Sequence, residues 1–212
     1  MNILIVAAHP DDEVLGMGGT IKKISKNNSV SLCVVSEGVT AQYADKNMIK
    51  VRENACKKAG KILGISNFFF LSFPDARLDT IPQLEINVKL EKIIKKTKPT
   101  IVYSPPYNDL NTDHSIVFNS LLVATRPHSS TVKKLLCYQL PGLVKFPFKA
   151  NVYENITNEI SYKIKSFKAY KTEVEKFPHP RSIESIESLS MQKGVESNLK
   201  NAESFELIRQ IN

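Results

Sequence analysis

The feature that most constrains the fold of this chain is the alternation of short apolar runs with longer amphipathic segments. The apolar runs have the length of strands and lie at 2–8, 29–36, 67–73, 99–104 and 132–140. Helical periodicity is found near 14–26, 45–63, 83–97 and 113–125. Strands that alternate with amphipathic helices favour a mostly parallel sheet covered on both faces. We therefore expect a Rossmann-like, three-layer α/β/α fold with its active site at the carboxyl edge of the strands.

The length and composition of the chain fit one compact domain. We expect residues 1–212, of which 42% are hydrophobic, to form a single domain, because they contain no repeat, low-complexity stretch or linker. Beyond about residue 140 the pattern loosens, with helices predicted near 157–170 and 182–192 and a closing strand near 205–208. We expect this C-terminal part to fold over the carboxyl edge of the sheet and to shape the substrate site.

A cluster of metal-binding side chains directly follows the first predicted strand. The apolar run leads into His-Pro-Asp-Asp-Glu at 9–13. His9 and Asp12 are three residues apart, so a tight turn can aim both at one metal ion. Asp11, between them, can face the open side of the metal as a general base. Helix capping is the structural alternative, but it does not explain such a run at the end of a buried strand.

A third ligand must come from elsewhere in the chain, and His114 is the best candidate. It follows the strand at 99–104 and opens an amphipathic helix. Because the carboxyl ends of parallel strands meet at one edge of a sheet, the two polar clusters can converge on one metal. Catalytic zinc typically keeps three protein ligands and an open position for water, whose pKa it lowers. The sequence therefore predicts a metal-dependent hydrolase.

These motifs resemble those of the PIG-L/LmbE-like family of zinc-dependent N-deacetylases. The resemblance rests on Ala8-His-Pro-Asp-Asp-Glu13 in its strand-to-helix setting and on Asp113-His114. Supporting landmarks are spread over nearly the whole chain: Arg52-Glu-Asn-Ala55, Gly64, Phe70-Leu71, Asp75-Ala-Arg-Leu-Asp79, Ala124-Thr-Arg-Pro127, Phe177-Pro-His-Pro-Arg181, Gly194-Val-Glu196 and Ala202-Glu-Ser-Phe205. The resemblance implies removal of the acetyl group from an N-acetylated amino sugar, free or attached to another group.

Carried over residue by residue, the resemblance implies a role for each group of the two motifs. Zinc would be bound by His9, Asp12 and His114. Asp11 would be the general base that deprotonates the attacking water. Asp113 would orient its neighbour His114, or a histidine that contacts a metal ligand without binding the metal itself.

Position 111 departs from the family pattern. Many members carry a histidine three residues before the zinc-binding one, where it stabilises the oxyanion or assists the leaving amine, whereas this chain has Asn111. Asparagine can donate a hydrogen bond to an oxyanion but cannot shuttle a proton. Asp11 would then act as both base and acid, or another group would supply the proton.

The resemblance also implies two substrate contacts. Arg52 and Asp79 match positions that hold substrate hydroxyls or the group attached to the sugar.

Further substrate contacts are predicted on weaker grounds. Arg126 can meet a phosphate or carboxylate of the substrate, His179 lies in a stiff proline-flanked loop suited to the mouth of a site, and Tyr107 lies near the third ligand. The alternative for each is an ordinary surface or packing residue. The same alternatives stand for His128 and Glu203.

Charge and composition limit the partners. The net charge of +8 comes from lysines spread over the polar faces of helices, without the interleaved aromatic residues of a single-strand binding surface, so we expect no nucleic-acid partner. Part of this charge could attract a negatively charged substrate such as a nucleotide-linked sugar. Gly-Met-Gly-Gly at 16–19 lies inside the first helix and is not a dinucleotide fingerprint. The sequence does not decide the oligomeric state, and a homo-oligomer remains open.

The same composition predicts a location. No apolar run approaches the ~20 residues that cross a bilayer, and no signal-peptide pattern is found, so we expect no membrane association. Cys33, Cys56 and Cys137 are odd in number and lack metal spacing. They are typical of reduced core residues in a cytoplasmic protein.

The sequence thus predicts a zinc-dependent hydrolase that removes the N-acetyl group from an amino sugar, free, glycosidic or nucleotide-linked. One alternative is a sugar-binding module of the same fold whose catalysis is weakened by Asn111. Another is a hydrolase of a different N-acyl sugar, such as a formyl or thiol-conjugated glucosamine. Iron or cobalt could replace zinc, because a site of two histidines and one aspartate accepts these ions as well.

Overall fold

The computed structural model describes residues 1–42, 45–142 and 144–212. Its strands are β1 (Asn2–Ala7), β2 (Ser29–Ser36), β3 (Asn67–Phe73), β4 (Ile101–Ser104), β5 (Lys134–Tyr138), β6 (Val152–Asn155) and β7 (Ala202–Gln210). Its α-helices are α1 (Asp12–Ile24), α2 (Asn47–Leu63), α3 (Gln83–Thr97), α4 (Thr112–Ala124), α5 (Ile160–Phe167) and α6 (Ile183–Ser197). A short 3-10 helix at Leu78–Thr80 precedes α3.

The strands form one seven-stranded sheet in the order β3-β2-β1-β4-β5-β7-β6. The five strands from β3 to β5 are parallel, and β7 runs antiparallel to both β5 and β6. The predicted mostly parallel α/β fold is therefore confirmed. β6 was not predicted, and β7 begins three residues before the predicted closing strand.

The apolar strands are buried because helices cover both faces of the sheet. Alternate residues of β1 point to opposite sides, with Ile3, Ile5 and Ala7 in one apolar layer and Leu4, Val6 and Ala8 in the other. The first layer also contains residues of α1, α2, α5 and α6, and the second contains residues of α3 and α4. A strand that is apolar on both faces is typical of a central parallel strand.

The order of the strands positions the two polar motifs. β1 lies between β2 and β4, so the chain leaves it in one direction and later returns on its other side. The carboxyl ends of β1 and β4 flank this switch point, where α/β sheets bind their ligands. The segment after β1 carries His9, and the segment after β4 leads to His114. None of the helices in the described ranges combines the length and apolarity that crossing a bilayer requires.

Candidate metal centre

The loop between β1 and α1 is a tight turn that its own side chains stabilise. Asp12 Oδ2 accepts a hydrogen bond from the His9 amide at 2.9 Å, and Glu13 Oε2 accepts one from the Asp11 amide at 3.1 Å. The buried Glu13 also accepts a 2.5 Å hydrogen bond from the Tyr170 hydroxyl. Asp11 has a φ of 124°, a conformation that is costly for a residue with a side chain. Such strain, held in place by its surroundings, is typical of functional turns.

Three side-chain atoms of this edge form a compact triangle. His114 Nε2 lies 3.3 Å from His9 Nδ1 and 3.4 Å from Asp12 Oδ2, and His9 Nδ1 lies 3.6 Å from Asp12 Oδ2. All three residues are buried. Bonds of about 2.0–2.2 Å in a tetrahedral zinc site place neighbouring ligand atoms about 3.3–3.6 Å apart. The predicted ligands His9, Asp12 and His114 are thus brought together at a spacing that suits one such ion.

The second nitrogen of His9 is fixed by a carboxylate. His9 Nε2 lies 3.1 Å from Asp113 Oδ2, and Asp113 also accepts hydrogen bonds from the amides of Ala76 at 3.0 Å and Leu78 at 3.1 Å. Because a carboxylate can only accept, Nε2 carries the proton of the neutral ring, so Nδ1 can bind a metal once its own proton has been lost. The structure thus places Asp113 against His9, which is neither of the two partners that the sequence suggested for it.

His114 has a similar partner on its outer side. Its Nδ1 lies 2.9 Å from Asp109 Oδ2, although this contact lacks the alignment of a regular hydrogen bond. Asp109 Oδ1 in turn accepts a hydrogen bond from the Asn111 amide at 2.9 Å. Asp109 thus faces the side of the ring turned away from the triangle, where metal-binding histidines usually meet a carboxylate.

A second group of potential ligands shares His9 and consists of His9 Nε2, Asp75 and Asp113. Asp75 Oδ1 lies 3.3 Å from His9 Nε2. This group offers one nitrogen, and both Asp113 oxygens already accept backbone hydrogen bonds. The triangle of His9, Asp12 and His114 combines two nitrogens with one carboxylate and leaves their outer partners intact. It is therefore the better fit to a catalytic zinc ion.

The charges of the triangle stabilise each other. Burial opposes a charge on His9, but its contacts with Asp113 and Asp12 outweigh burial and raise its pKa to about 10. Burial is also outweighed at His114, where Asp12 and Asp109 raise the pKa to about 9. Burial disfavours the carboxylate of Asp12, yet the two histidines hold its pKa well below the usual range. The metal-free site is thus built for positive charge, which a divalent cation can supply in place of protons.

Asp11 stands beside the triangle in a different environment. Its carboxyl group is 4% exposed and lies 3.4 Å from Arg52 Nη2 and 3.8 Å from Arg181 Nη1. Burial raises the pKa of Asp11 to about 7, with Arg52 and Arg181 opposing the rise and Asp12 and Glu173 adding to it. A carboxyl group with a pKa near neutrality can both take up and return a proton.

Arg52 and Arg181 are tied together by one buried carboxylate. Glu173 Oε1 lies 2.8 Å from Arg52 Nη1, and Glu173 Oε2 accepts a 2.6 Å hydrogen bond from Arg181 Nη1. Arg52 also donates a 2.7 Å hydrogen bond to the carbonyl of Pro10, in the turn that carries Asp11. Arg52, predicted as a substrate contact, thus supports the turn that carries Asp11 and also lines the cavity described next.

The triangle opens into a cavity of about 340 Å³. The predicted residues Asn111 and His179 line it, together with Arg181 of the C-terminal part. Asn111 caps α4, because its side-chain oxygen accepts a 3.0 Å hydrogen bond from the Asp113 amide. Its Nδ2 group makes no hydrogen bond to the part of the chain that the structure describes, so it can donate to a ligand in the cavity.

The other predicted substrate contacts lie outside the lining of this cavity, as far as the described residues define it. Asp79 is exposed on the 3-10 helix, and Tyr107 turns away to donate a 3.1 Å hydrogen bond to Glu206. Arg126 follows the last residue of α4, which carries it to the opposite edge of the sheet, where it lies 3.7 Å from Glu91.

Sequence reasoning did not assign a role to three acidic residues of the site. Asp75 and Asp109 lie in segments that follow β3 and β4, so their place at a strand end was a usable signal. Glu173 had no such signal, because it lies between α5 and α6 and reaches Arg52, which is 121 residues earlier in the chain. Its neighbours along the sequence give no hint that it is buried beside the turn that carries Asp11.

Comparison with known proteins agrees with this geometry. Residues 4–125, which run from within β1 to the end of α4 and include the whole triangle, match the GlcNAc-PI de-N-acetylase (PIG-L) family. The match spans more than half of the chain. The chain belongs to this family.

Individual relatives extend the match. An uncharacterized deacetylase, YaiS, of Escherichia coli (strain K12) is 29% identical over 179 residues, which are 80% of this chain and 90% of that protein. The diacetylchitobiose deacetylase of Thermococcus kodakarensis is 28% identical over 108 residues, 49% of this chain and 40% of that protein. The crystal structure of a conserved protein from Thermus thermophilus has a TM-score of 0.84 at 24% identity, covering 100% of this chain and 96% of its own, which shows a shared fold.

Proposed function

We propose that this protein is a zinc-dependent hydrolase that removes the N-acetyl group from an N-acetylated amino sugar. The observation that carries the proposal is the triangle of His9, Asp12 and His114 with the buried carboxyl group of Asp11 beside it. Membership of the family and the similarity to a diacetylchitobiose deacetylase support an acetylated sugar as the substrate.

His9, Asp12 and His114 would hold the metal through the three atoms of the triangle. When bound, zinc supplies a Lewis acid that polarises the amide carbonyl and makes water acidic. Iron or cobalt could serve in the same donor set. Asp113 and Asp109 keep the two imidazole rings oriented.

Asp11 takes the proton of the attacking water as general base. It then returns this proton to the nitrogen of the leaving amine, a role that fits a buried carboxyl group with a pKa near neutrality. Asn111 donates the free Nδ2–H of its amide to the developing oxyanion. The residue that replaces the family histidine thus serves as a hydrogen-bond donor and leaves the acid role to Asp11.

The C-terminal part would shape the substrate pocket. His179 and Arg181 line the cavity together with Leu140 and Pro141. We propose that these residues contact the sugar or the group attached to it.

Amine release by the zinc-loaded protein tests the proposal. The substrates are N-acetyl hexosamines in free, glycosidic and nucleotide-linked form, together with N-formyl analogues, and the control is Asp11→Asn. We expect turnover of an N-acetyl sugar that falls about 10²–10⁴-fold in the control while zinc stays bound. Sugar binding without turnover would favour the binding module, and turnover of the formyl analogues alone would favour the other acyl class. Near-normal turnover by Asp11→Asn would contradict the role of the base.

A further inference from the structure

Helix α1, which begins at the metal ligand Asp12, is broken near its middle. Met17 has φ −149° and ψ 27°, so two helical segments meet at this residue. A break leaves backbone carbonyls unpaired at the end of the first segment and amides unpaired at the start of the second. The break falls in Gly-Met-Gly-Gly at 16–19, and the proposed metal-binding role of the triangle does not require glycine at these positions.

One buried ion pair satisfies both sides of this break. Lys163 Nζ donates a 2.8 Å hydrogen bond to the carbonyl of Leu15, on the first segment. Glu203 accepts hydrogen bonds from the amides of Gly19 at 3.0 Å and Thr20 at 2.7 Å, on the second segment. Lys163 Nζ and Glu203 Oε1 lie 2.6 Å apart. The two charged groups therefore join the halves of α1 to α5 and β7, and Glu203 is not the solvated residue that the sequence allowed.

The glycines let the rest of the molecule approach the broken helix. A Cβ atom at Gly16 would lie 2.3 Å from the ring of Tyr138, and one at Gly19 would lie 2.7 Å from Ile156. Tyr138 also donates a 3.0 Å hydrogen bond to the carbonyl of Val6 in β1. The first segment of α1 is thus pressed against the sheet directly behind the metal triangle.

A contribution to folding stability does not by itself explain why Lys163 and Glu203 form a buried ion pair. Lys163 and Glu203 are 4% and 3% exposed, and the cost of removing two charges from water can exceed their mutual attraction. An apolar pair of similar size would fill the same space. An apolar pair could not bond the carbonyl of Leu15 or the amides of Gly19 and Thr20, so only the polar pair fixes the geometry of the break.

We propose that Lys163 and Glu203 are positioning residues that hold the break in α1 and thereby aim Asp12 at the metal. This inference rests on the proposed function, because the aim of Asp12 matters only if the triangle binds a metal. The pair lies outside the cavity lining and does not contact the triangle, so its effect on metal binding must pass through the first segment of α1.

The test compares zinc affinity with stability in three variants: Lys163→Met, Glu203→Gln and the double substitution Lys163→Met with Glu203→Met. The matched control is Ile94→Ala, a buried truncation near the end of α3, at the edge of the sheet far from the triangle. Zinc affinity is measured by competition with a chromophoric chelator, stability by the thermal midpoint, and local order by hydrogen exchange of residues 12–20 in the metal-free protein.

We expect each single variant to weaken zinc binding about 10-fold or more and to speed exchange over residues 12–20. The double variant regains part of the thermal midpoint, because no unpaired charge remains buried although the backbone groups of Leu15, Gly19 and Thr20 lose their partners, and it keeps the weak zinc affinity. The control lowers the midpoint and leaves zinc affinity unchanged.

Two results would overturn the inference. In one, the single variants lose stability like the control and bind zinc as tightly as the wild type. In the other, the double variant regains zinc affinity together with its midpoint, which would make the pair merely structural. A wild-type protein that binds no zinc would instead contradict the proposed function and remove the basis of the positioning role.

Discussion

The N-terminal and C-terminal parts of this molecule contribute differently to the site. Residues up to α4 supply the proposed reactive groups, His9, Asp11, Asp12 and His114, from two turns at the ends of neighbouring parallel strands. The part beyond residue 140 adds His179 and Arg181 to the cavity lining and Glu173 to the support of the turn that carries Asp11. Other supports of these turns, such as Arg52 and Asp113, belong to the N-terminal part. The proposed reactive groups thus follow two strand ends, whereas part of their support comes from segments that the order of the strands does not predict.

The largest expected effect on zinc binding and turnover comes from replacing a proposed ligand in the N-terminal part. Replacing a ligand, as in His114→Ala, should weaken zinc binding by more than about 100-fold and abolish amine release, because two ligands cannot hold the ion. Zinc content after dialysis and turnover measure this. Full zinc content in the variant would place the metal elsewhere.

A C-terminal support should matter next. Glu173→Gln removes the charge between Arg52 and Arg181 and leaves two guanidinium groups facing each other beside Asp11. We expect kcat/KM to fall about 10–100-fold, since a small displacement of a catalytic group costs this much, with zinc content unchanged.

The matched control for this variant is Glu175→Gln, which changes an exposed glutamate two residues away. It should leave kcat/KM within about twofold of the wild type. Equal losses in both variants would show that Glu173 has no special connection to the catalytic turn.

The pH dependence of zinc binding tests the charge pairing of the N-terminal turns. The pKa values of about 10 for His9 and about 9 for His114 mean that both rings are protonated near pH 7 in the metal-free protein. Zinc must displace these protons, so its affinity should rise with pH and fall as the medium becomes acidic. Calorimetry in buffers of different ionisation enthalpy should show more than one proton released per zinc. Binding without proton release would contradict the protonated state of the rings.

The fold could be predicted because its signals are periodic, and the three residues of the triangle could be selected because they follow two strand ends. β1 is apolar at every buried position, and the polar turn follows it at once. β6 was missed because its Val-Tyr-Glu-Asn sequence is polar and only partly buried. Tyr107 and Arg126 lie outside the predicted site for reasons that sequence spacing cannot show. The Tyr107 side chain turns towards Glu206, and α4 carries Arg126 to the far edge of the sheet.

The smallest expected effect compares two aspartates of one segment. The family resemblance selects Asp79 as a substrate contact, whereas the structure places Asp75 in the cavity, 3.3 Å from His9 Nε2. Asp75→Asn should lower kcat/KM about 10-fold, because it alters the charge beside a metal-binding ring. Asp79→Asn, at an exposed position, should change kcat/KM about twofold or less. A larger loss of kcat/KM in Asp79→Asn than in Asp75→Asn would support the sequence-based prediction that Asp79 contacts the substrate.

We propose that one metal ion is held between His9 Nδ1, Asp12 Oδ2 and His114 Nε2, beside Asp11. Anomalous diffraction at the zinc edge, from crystals of the zinc-loaded protein, locates the ion. We expect a single strong peak within the triangle of these three atoms. A peak between His9 Nε2, Asp75 and Asp113, or no peak at this edge of the sheet, would contradict it.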